Sequence, residues 1–192
     1  MNYLAHLYLS FGNEEHAVGN LSADFFKGNK GIKELPEGIQ AGIRTHRRID
    51  AFTDTHEVVK ESKRRLYPHY SKYSSAIVDI YYDHLLANNW AKYSEESLED
   101  FAEKQYKILE KYEAHLPERL RQRLPSMMQH NWLIGYRDME GITTTFKYFA
   151  KRIKSDLDIS QAHLQLQTDY DLYNDEFNRF FPELIEMVTG DS

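Results

Sequence analysis

Wound at 100° per residue, the segment from Ile39 to Asp54 puts Ile39, Ile43, His46, Asp50 and Asp54 on one stripe, about 80° wide. The two isoleucines aim that stripe inward. An unpaired carboxylate there costs roughly several kcal/mol, so any fold that accepts this helix must bring cations or hydrogen-bond donors to it. Arg47 flanks the stripe, whereas Arg48 points the other way.

Two further segments make the same demand. In "SSAIVDIYYDHLLANNW", Asp79, Tyr82, Asp83, Leu86 and Trp90 share a face. Asp79 and Asp83 stand four apart, a like-charge pair that costs a few tenths of a kcal/mol, roughly, in an isolated helix and more when buried. His84 projects away from Asp79. In "HAVGNLSADFFKG", Asp24 follows Asn20 by four residues amid Leu21, Phe25 and Phe26, and His6 lies in the apolar "LAHLYL". Each has an ordinary explanation: a satisfied core histidine for His6, a hydrogen-bonded carboxylate for Asp24, and ion pairs with Arg44 or Arg47 for Asp79 and Asp83. Together, inward carboxylates and imidazoles on three helices fit one divalent cation held by N and O ligands. The chain has no Cys, so thiolate sites and disulfides are excluded, and Mn²⁺, Mg²⁺, Fe²⁺ or Zn²⁺ remain compatible.

Helical periodicity dominates, and strand signals are weak. The pattern predicts helices over 2–10, 14–27, 37–57, 58–67, 74–93, 97–115, 117–133, 140–153 and 160–187. "KGNKG" (27–31) reads as a stop, Pro36 as a helix start, Ser94 or Ser97 as a cap, and Pro117, Pro125 and Pro182 as bends or ends. No linker or repeat divides the chain. A single compact all-α domain over 1–192 is expected, with 14 Tyr whose hydroxyls will need partners in the core. The apolar start lacks a basic leader and a cleavage site, and no run approaches the ~20 apolar residues of a membrane span. A soluble, cytoplasmic protein follows. The net charge of −6 argues against general nucleic-acid binding. Basic clusters do occur at 60–65, 119–123 and 151–154. P-loop, GxGxxG, GxSxG and HExxH motifs are absent.

Taken in order, "MNYLAHLYLS", "GNLSADFFKG", "GIRTHRRIDAFTD", "DIYYDHLL" and "WLIGYRDMEGI" resemble the acyl carrier protein phosphodiesterase family. The resemblance extends to "YDLYNDEF" (170–177). It implies a helical fold related to the HD-domain phosphohydrolases and a divalent metal, usually Mn²⁺ or Mg²⁺. The implied reaction removes 4'-phosphopantetheine from holo-acyl carrier protein. By matching motifs, Asp24, His46, Asp79 and Asp83 are the implied metal-site residues, with His6 and Asp50 as further candidates. One departure stands out: HD proteins carry adjacent His-Asp, whereas "THRRID" separates His46 from Asp50, which leaves the ligand set open.

On that reading, a bound ion lowers the pKa of water and screens charge on phosphorus, and Asp50 or Asp83 orients the water or accepts its proton. Arg47, or else Arg48, holds the phosphate oxygens. Lys60, Lys63, Arg64 and Arg65 follow the charged helix and are expected to dock the acidic carrier. "NWLIGYRDMEG" reads as a helix-end anchor with an Arg137–Asp138 pair, or else as channel lining. Two rivals remain: an HD-type hydrolase of a nucleotide or other small phosphoester, and a non-catalytic helical protein that binds acyl carrier protein. The sequence is silent on oligomeric state.

Overall fold

The computed structural model describes residues 1–26, 28, 31–153 and 156–190. Among these, helices and connecting turns account for all regular structure. The α-helices are α1 (Tyr3–Tyr8), α2 (Glu14–Ser22), α3 (Glu37–Thr55), α4 (Glu57–Tyr70), α5 (Ser74–Asn88), α6 (Leu98–Lys111), α7 (Glu118–Arg121), α8 (Leu124–Gln129), α9 (Trp132–Gly135), α10 (Met139–Arg152), α11 (Ala162–Thr168) and α12 (Tyr170–Thr189). The all-α expectation therefore holds.

Local chemistry sets several boundaries. The Asn13 side chain accepts from His16 N to open α2, with Glu14 and Glu15 in the first turn, where the helix dipole favours acids. Ser97 caps α6 by accepting from Asp100 N, so of the two serines foreseen as caps, Ser97 serves. The helix expected over 14–27 ends at Ser22, and a single 3₁₀ turn, Ala23–Phe25, follows. Lys27, Asn29 and Lys30, part of the expected stop, lie outside the described residues.

Two long helices expected from periodicity are broken. Residues 117–133 form α7, α8 and α9: Pro125 takes the first turn of α8, and Asn131 adopts a left-handed φ of 45° before α9. Residues 160–187 divide at Asp169, whose carboxylate accepts from the Gln165 amide at 2.6 Å. Conversely, α4 runs through Pro68 and α12 through Pro182. Both prolines are exposed on helices anchored by buried neighbours such as Leu66, Phe180, Phe181 and Leu184.

One core links all the elements, with α5 at its centre. Every residue from Ile80 to Ala87 is buried, so α5 is enclosed on all sides by α1, α4 and α12. Its tyrosine hydroxyls find partners as expected: Tyr82 contacts Ser62 Oγ at 2.9 Å, and Tyr81 donates to the Ala162 carbonyl.

The α2–α3 crossing positions the site. A Cβ on Gly19 would lie 2.0 Å from the Ile39 carbonyl oxygen, and one on Gly42 would lie 2.2 Å from the His16 carbonyl oxygen. The two backbones touch there, which brings α3 side chains within reach of the α2 main chain one turn further on.

Candidate metal and phosphodiester site

Three helices deliver the cluster. His6 comes from α1, Asp24 from the turn after α2, and His46 and Asp50 from successive turns of α3. Asn20 on α2 holds both imidazoles. Its amide nitrogen donates to the His6 carbonyl at 2.7 Å and to Ser10 Oγ at 3.2 Å, which turns Oδ1 toward His6 Nδ1 at 2.8 Å. The Asn20 main-chain carbonyl accepts from His46 Nδ1 at 2.7 Å. Each Nδ1 thus carries its proton, and each Nε2 is left to face the cluster. The rings stack with centroids 4.0 Å apart.

His46 Nε2 lies 3.1 Å from Asp24 Oδ1 and 3.1 Å from Asp50 Oδ2, while His6 Nε2 lies 3.4 Å from Asp50 Oδ1. His6 Nε2 is buried and has no hydrogen-bond partner. A neutral His6 therefore turns a lone pair toward a carboxylate, an arrangement a cation between them would make favourable. His6 Nε2, His46 Nε2 and an Asp50 oxygen all lie within 4.8 Å of one another. This donor set, two nitrogens and hard oxygens, fits a divalent ion.

Without an ion, the two imidazoles differ in charge. Burial lowers His6 to about 4, against the pull of Asp50, so it is neutral at pH 7. Burial also works against a charge on His46, but Asp24 and Asp50 outweigh it and raise His46 to about 9. Burial pushes Asp50 up, yet its contacts with His46 and His6 hold it well below the usual carboxylate range. The hydrogen bond from His46 lowers Asp24. Asp24, His46, Asp50 and Arg47 line an open cleft of about 350 Å³ with Phe26 at its edge. Asp24 is the most open of the cluster, its side chain 73% exposed against 40% for Asp50.

The remaining candidates divide. Asp83 is corrected from ligand or base to helix cap. Fully buried, it accepts from Leu4 N at 2.7 Å, Asn2 N at 3.2 Å and Ala5 N at 3.3 Å, the donors at the start of α1. Burial pushes its carboxyl up to about 7 against those donors. Asp83→Ala leaves the three N–H groups without an acceptor. Stability should fall by about 2–4 kcal/mol in urea unfolding while metal affinity is retained; an unchanged urea midpoint would refute the capping role.

Asp79 faces the start of the chain. The Met1 ammonium lies 3.0 Å from Asp79 Oδ1 and 3.7 Å from Asp50 Oδ1, so these carboxylates flank one cation at the edge of the cluster. Asp54, the end of the predicted stripe, turns outward to Lys63 at 2.6 Å. His84 donates through Nδ1 to the Tyr136 carbonyl, well apart from the cluster, and Arg48 reaches the Met187 carbonyl on α12 rather than a phosphate position. Arg137 pairs with Glu99, not Asp138.

The four residues expected to dock the carrier make ion pairs of their own. Lys60 pairs with Glu57 at 2.7 Å, Lys63 with Asp54, and Arg64 with Glu57 at 3.6 Å. Arg65 grips buried Glu176 through two nitrogens, at 2.5 and 3.1 Å, and lies over the Tyr173 ring. It ties α4 to α12 and is not a surface cation. Sequence reasoning missed Asn20 as the hub of the site; the only signal was a buried amide one turn before Asp24.

Comparisons with known proteins converge on one family. The family model described as acyl carrier protein phosphodiesterase matches residues 1–184. A protein so named from Photorhabdus laumondii is 32% identical over 97% of this chain and 94% of its own length. Those from Yersinia pestis and from an Enterobacter species are 30% and 32% identical, covering 98% and 96% of this chain and 97% and 96% of their own. No solved structure shows a significant match. With a family match over nearly the whole length and relatives of the same description end to end, the chain belongs to the acyl carrier protein phosphodiesterase family.

Proposed function

We propose that the protein is a metal-dependent phosphodiesterase that releases 4'-phosphopantetheine from holo-acyl carrier protein, leaving apo-carrier. The observation that carries the metal is the orphaned Nε2 of His6, set with His46 Nε2 and Asp50 by Asn20. His6, His46 and Asp50 would hold the ion, with Asp24 as a fourth donor; Mn²⁺ or Mg²⁺ is favoured, and Fe²⁺ or Zn²⁺ would suit the same donors. When bound, such an ion lowers the pKa of water and screens the charge developing on phosphorus.

The protein's own residues do the rest. Asp24, the carboxylate most open to the cleft, orients the attacking water. Arg47 on the same cleft takes the non-bridging oxygens, since a guanidinium matches phosphate geometry. Oxygen from water joins phosphorus, the bond from phosphorus to the carrier serine oxygen breaks, and a proton passes to that serine. In this reading His46 and Asp50, four apart on α3, replace the adjacent His-Asp pair of HD-type hydrolases. Among the described residues, no helix is long and apolar enough to cross a membrane, and we place the reaction in the cytoplasm with its carrier substrate.

Holo-carrier incubated with enzyme and Mn²⁺ should lose the mass of the prosthetic group, and chelator should prevent the loss. An unchanged mass in every condition would overturn the reading.

A further inference from the structure

Within the 60–65 cluster, Lys63 and Arg65 are tied to Asp54 and Glu176; a second group of cations lies nearer the Asp24 side of the cleft. Arg123, just before α8, stacks its guanidinium 5.5 Å from the centre of the Phe25 ring. Phe25 directly follows Asp24. The Tyr3 ring stacks on Phe25, with centroids 6.4 Å apart. Burial raises the Tyr3 hydroxyl's pKa, and the charges of Arg123 and of Arg152, from the last turn of α10, act against that rise. Two cations almost thirty residues apart in the chain thus converge on Tyr3 and Phe25, beside the Asp24 wall of the cleft. Among the described residues, neither has a carboxylate within ion-pair distance, unlike Lys60, Lys63, Arg64, Arg65, Arg121 and Arg137.

A cation in the last turn of α10 is expected from the helix dipole alone. That accounts for Arg152 on its helix but not for Arg123, which is held over Phe25 by a different segment. Nor does it explain why both charges act on Tyr3. The chain carries a net charge of −6, so an acidic protein is repelled by most of its surface and needs a local positive contact. Lys151 lies 5.7 Å over the ring of Tyr148, which is 62% exposed, and adds an aromatic and a third cation at the same helix end.

We propose that Arg123 and Arg152 form the docking surface for an acidic face of the carrier protein, delivering its modified serine past Phe25 to the Asp24 side of the cleft. This inference rests on the phosphodiesterase reading and adds the surface that reading lacked.

The test is fluorescence anisotropy with labelled apo-carrier, which cannot turn over, run beside hydrolysis of holo-carrier by the wild type. Arg123→Glu combined with Arg152→Glu should weaken binding ~30-fold and flatten its salt dependence. Arg152→Glu alone, at an exposed position, should weaken it ~5-fold, which guards against misfolding of the double variant. Reversal at Lys60 and Arg64 should leave binding within about twofold. Equal affinity for wild type and double variant, or loss confined to the Lys60 and Arg64 variant, would overturn the docking surface. Binding that depends on Arg123 and Arg152 without hydrolysis by the wild type would instead uphold the surface and refute the phosphodiesterase reading.

Discussion

Asp50→Asn should give a folded protein whose release of phosphopantetheine is slower by about 10³-fold, equivalent to ~4 kcal/mol of barrier. Asp50 is a carboxylate that faces the Nε2 atoms of both imidazoles, with one oxygen 3.4 Å from His6 and the other 3.1 Å from His46. An amide of the same shape fills the space but removes the charge that a divalent ion requires. Its nitrogen also offers a donor where the ion would sit. In wild type, Mn²⁺ should raise the melting temperature; in the variant that shift should vanish. A metal-free control separates charge from fold. His46 is raised to about 9, with Asp24 and Asp50 as its partners. A histidine raised on folding stabilises the protein fully below its unfolded pKa near 6.5, and that contribution disappears as pH climbs through the folded value. Metal-free wild type should therefore lose stability between about pH 6.5 and 9. In Asp50→Asn the His46 pKa should fall and the window should narrow, visible by NMR titration of the ring. Near-normal activity together with an intact Mn²⁺-induced stabilisation would place the site elsewhere.

The sequence made legible what depends on one helix at a time. Ile39 and Ile43 told which way α3 faces, and hence that His46 and Asp50 reach the interior. The same periodicity could not say which carboxylates from different helices meet. Asp83 shares a face with Asp79 on α5, but it is directed at the start of α1, because a six-residue helix buried in the core needs an acceptor for its first N–H groups. That requirement is invisible in the α5 segment itself. Lys63 and Arg65 likewise read as a basic surface until Asp54 and Glu176 arrive from other elements. Residues 117–133 failed for a different reason: their apolar spacing is helical throughout, and only the left-handed Asn131 and the position of Pro125 divide them. Asn20 was overlooked because neutral amides carry no charge pattern, although one side chain and one carbonyl fix the tautomers of both histidines.

Gly42→Ala should destabilise the protein by roughly 2–4 kcal/mol and abolish activity with it. On propensity alone the change ought to help, since alanine inside a helix is favoured over glycine by ~1 kcal/mol. The sign reverses because the added Cβ would sit 2.2 Å from the His16 carbonyl oxygen and 2.8 Å from the Asn20 nitrogen, both main-chain atoms of α2 that no rotamer change can move aside. Relief requires α2 and α3 to separate. His46 sits one turn beyond Gly42 on α3, and its Nδ1 depends on the Asn20 carbonyl 2.7 Å away. Parting the helices releases that ring, and through the Asn20 side chain it disturbs His6 as well. Stability, Mn²⁺-induced stabilisation and hydrolysis should therefore fall together. Gly135→Ala is the matched control: its Cβ meets nothing within 4 Å, so the urea midpoint should hold or rise slightly. If Gly42→Ala behaves like that control, the close crossing of α2 and α3 is not what sets the two imidazoles.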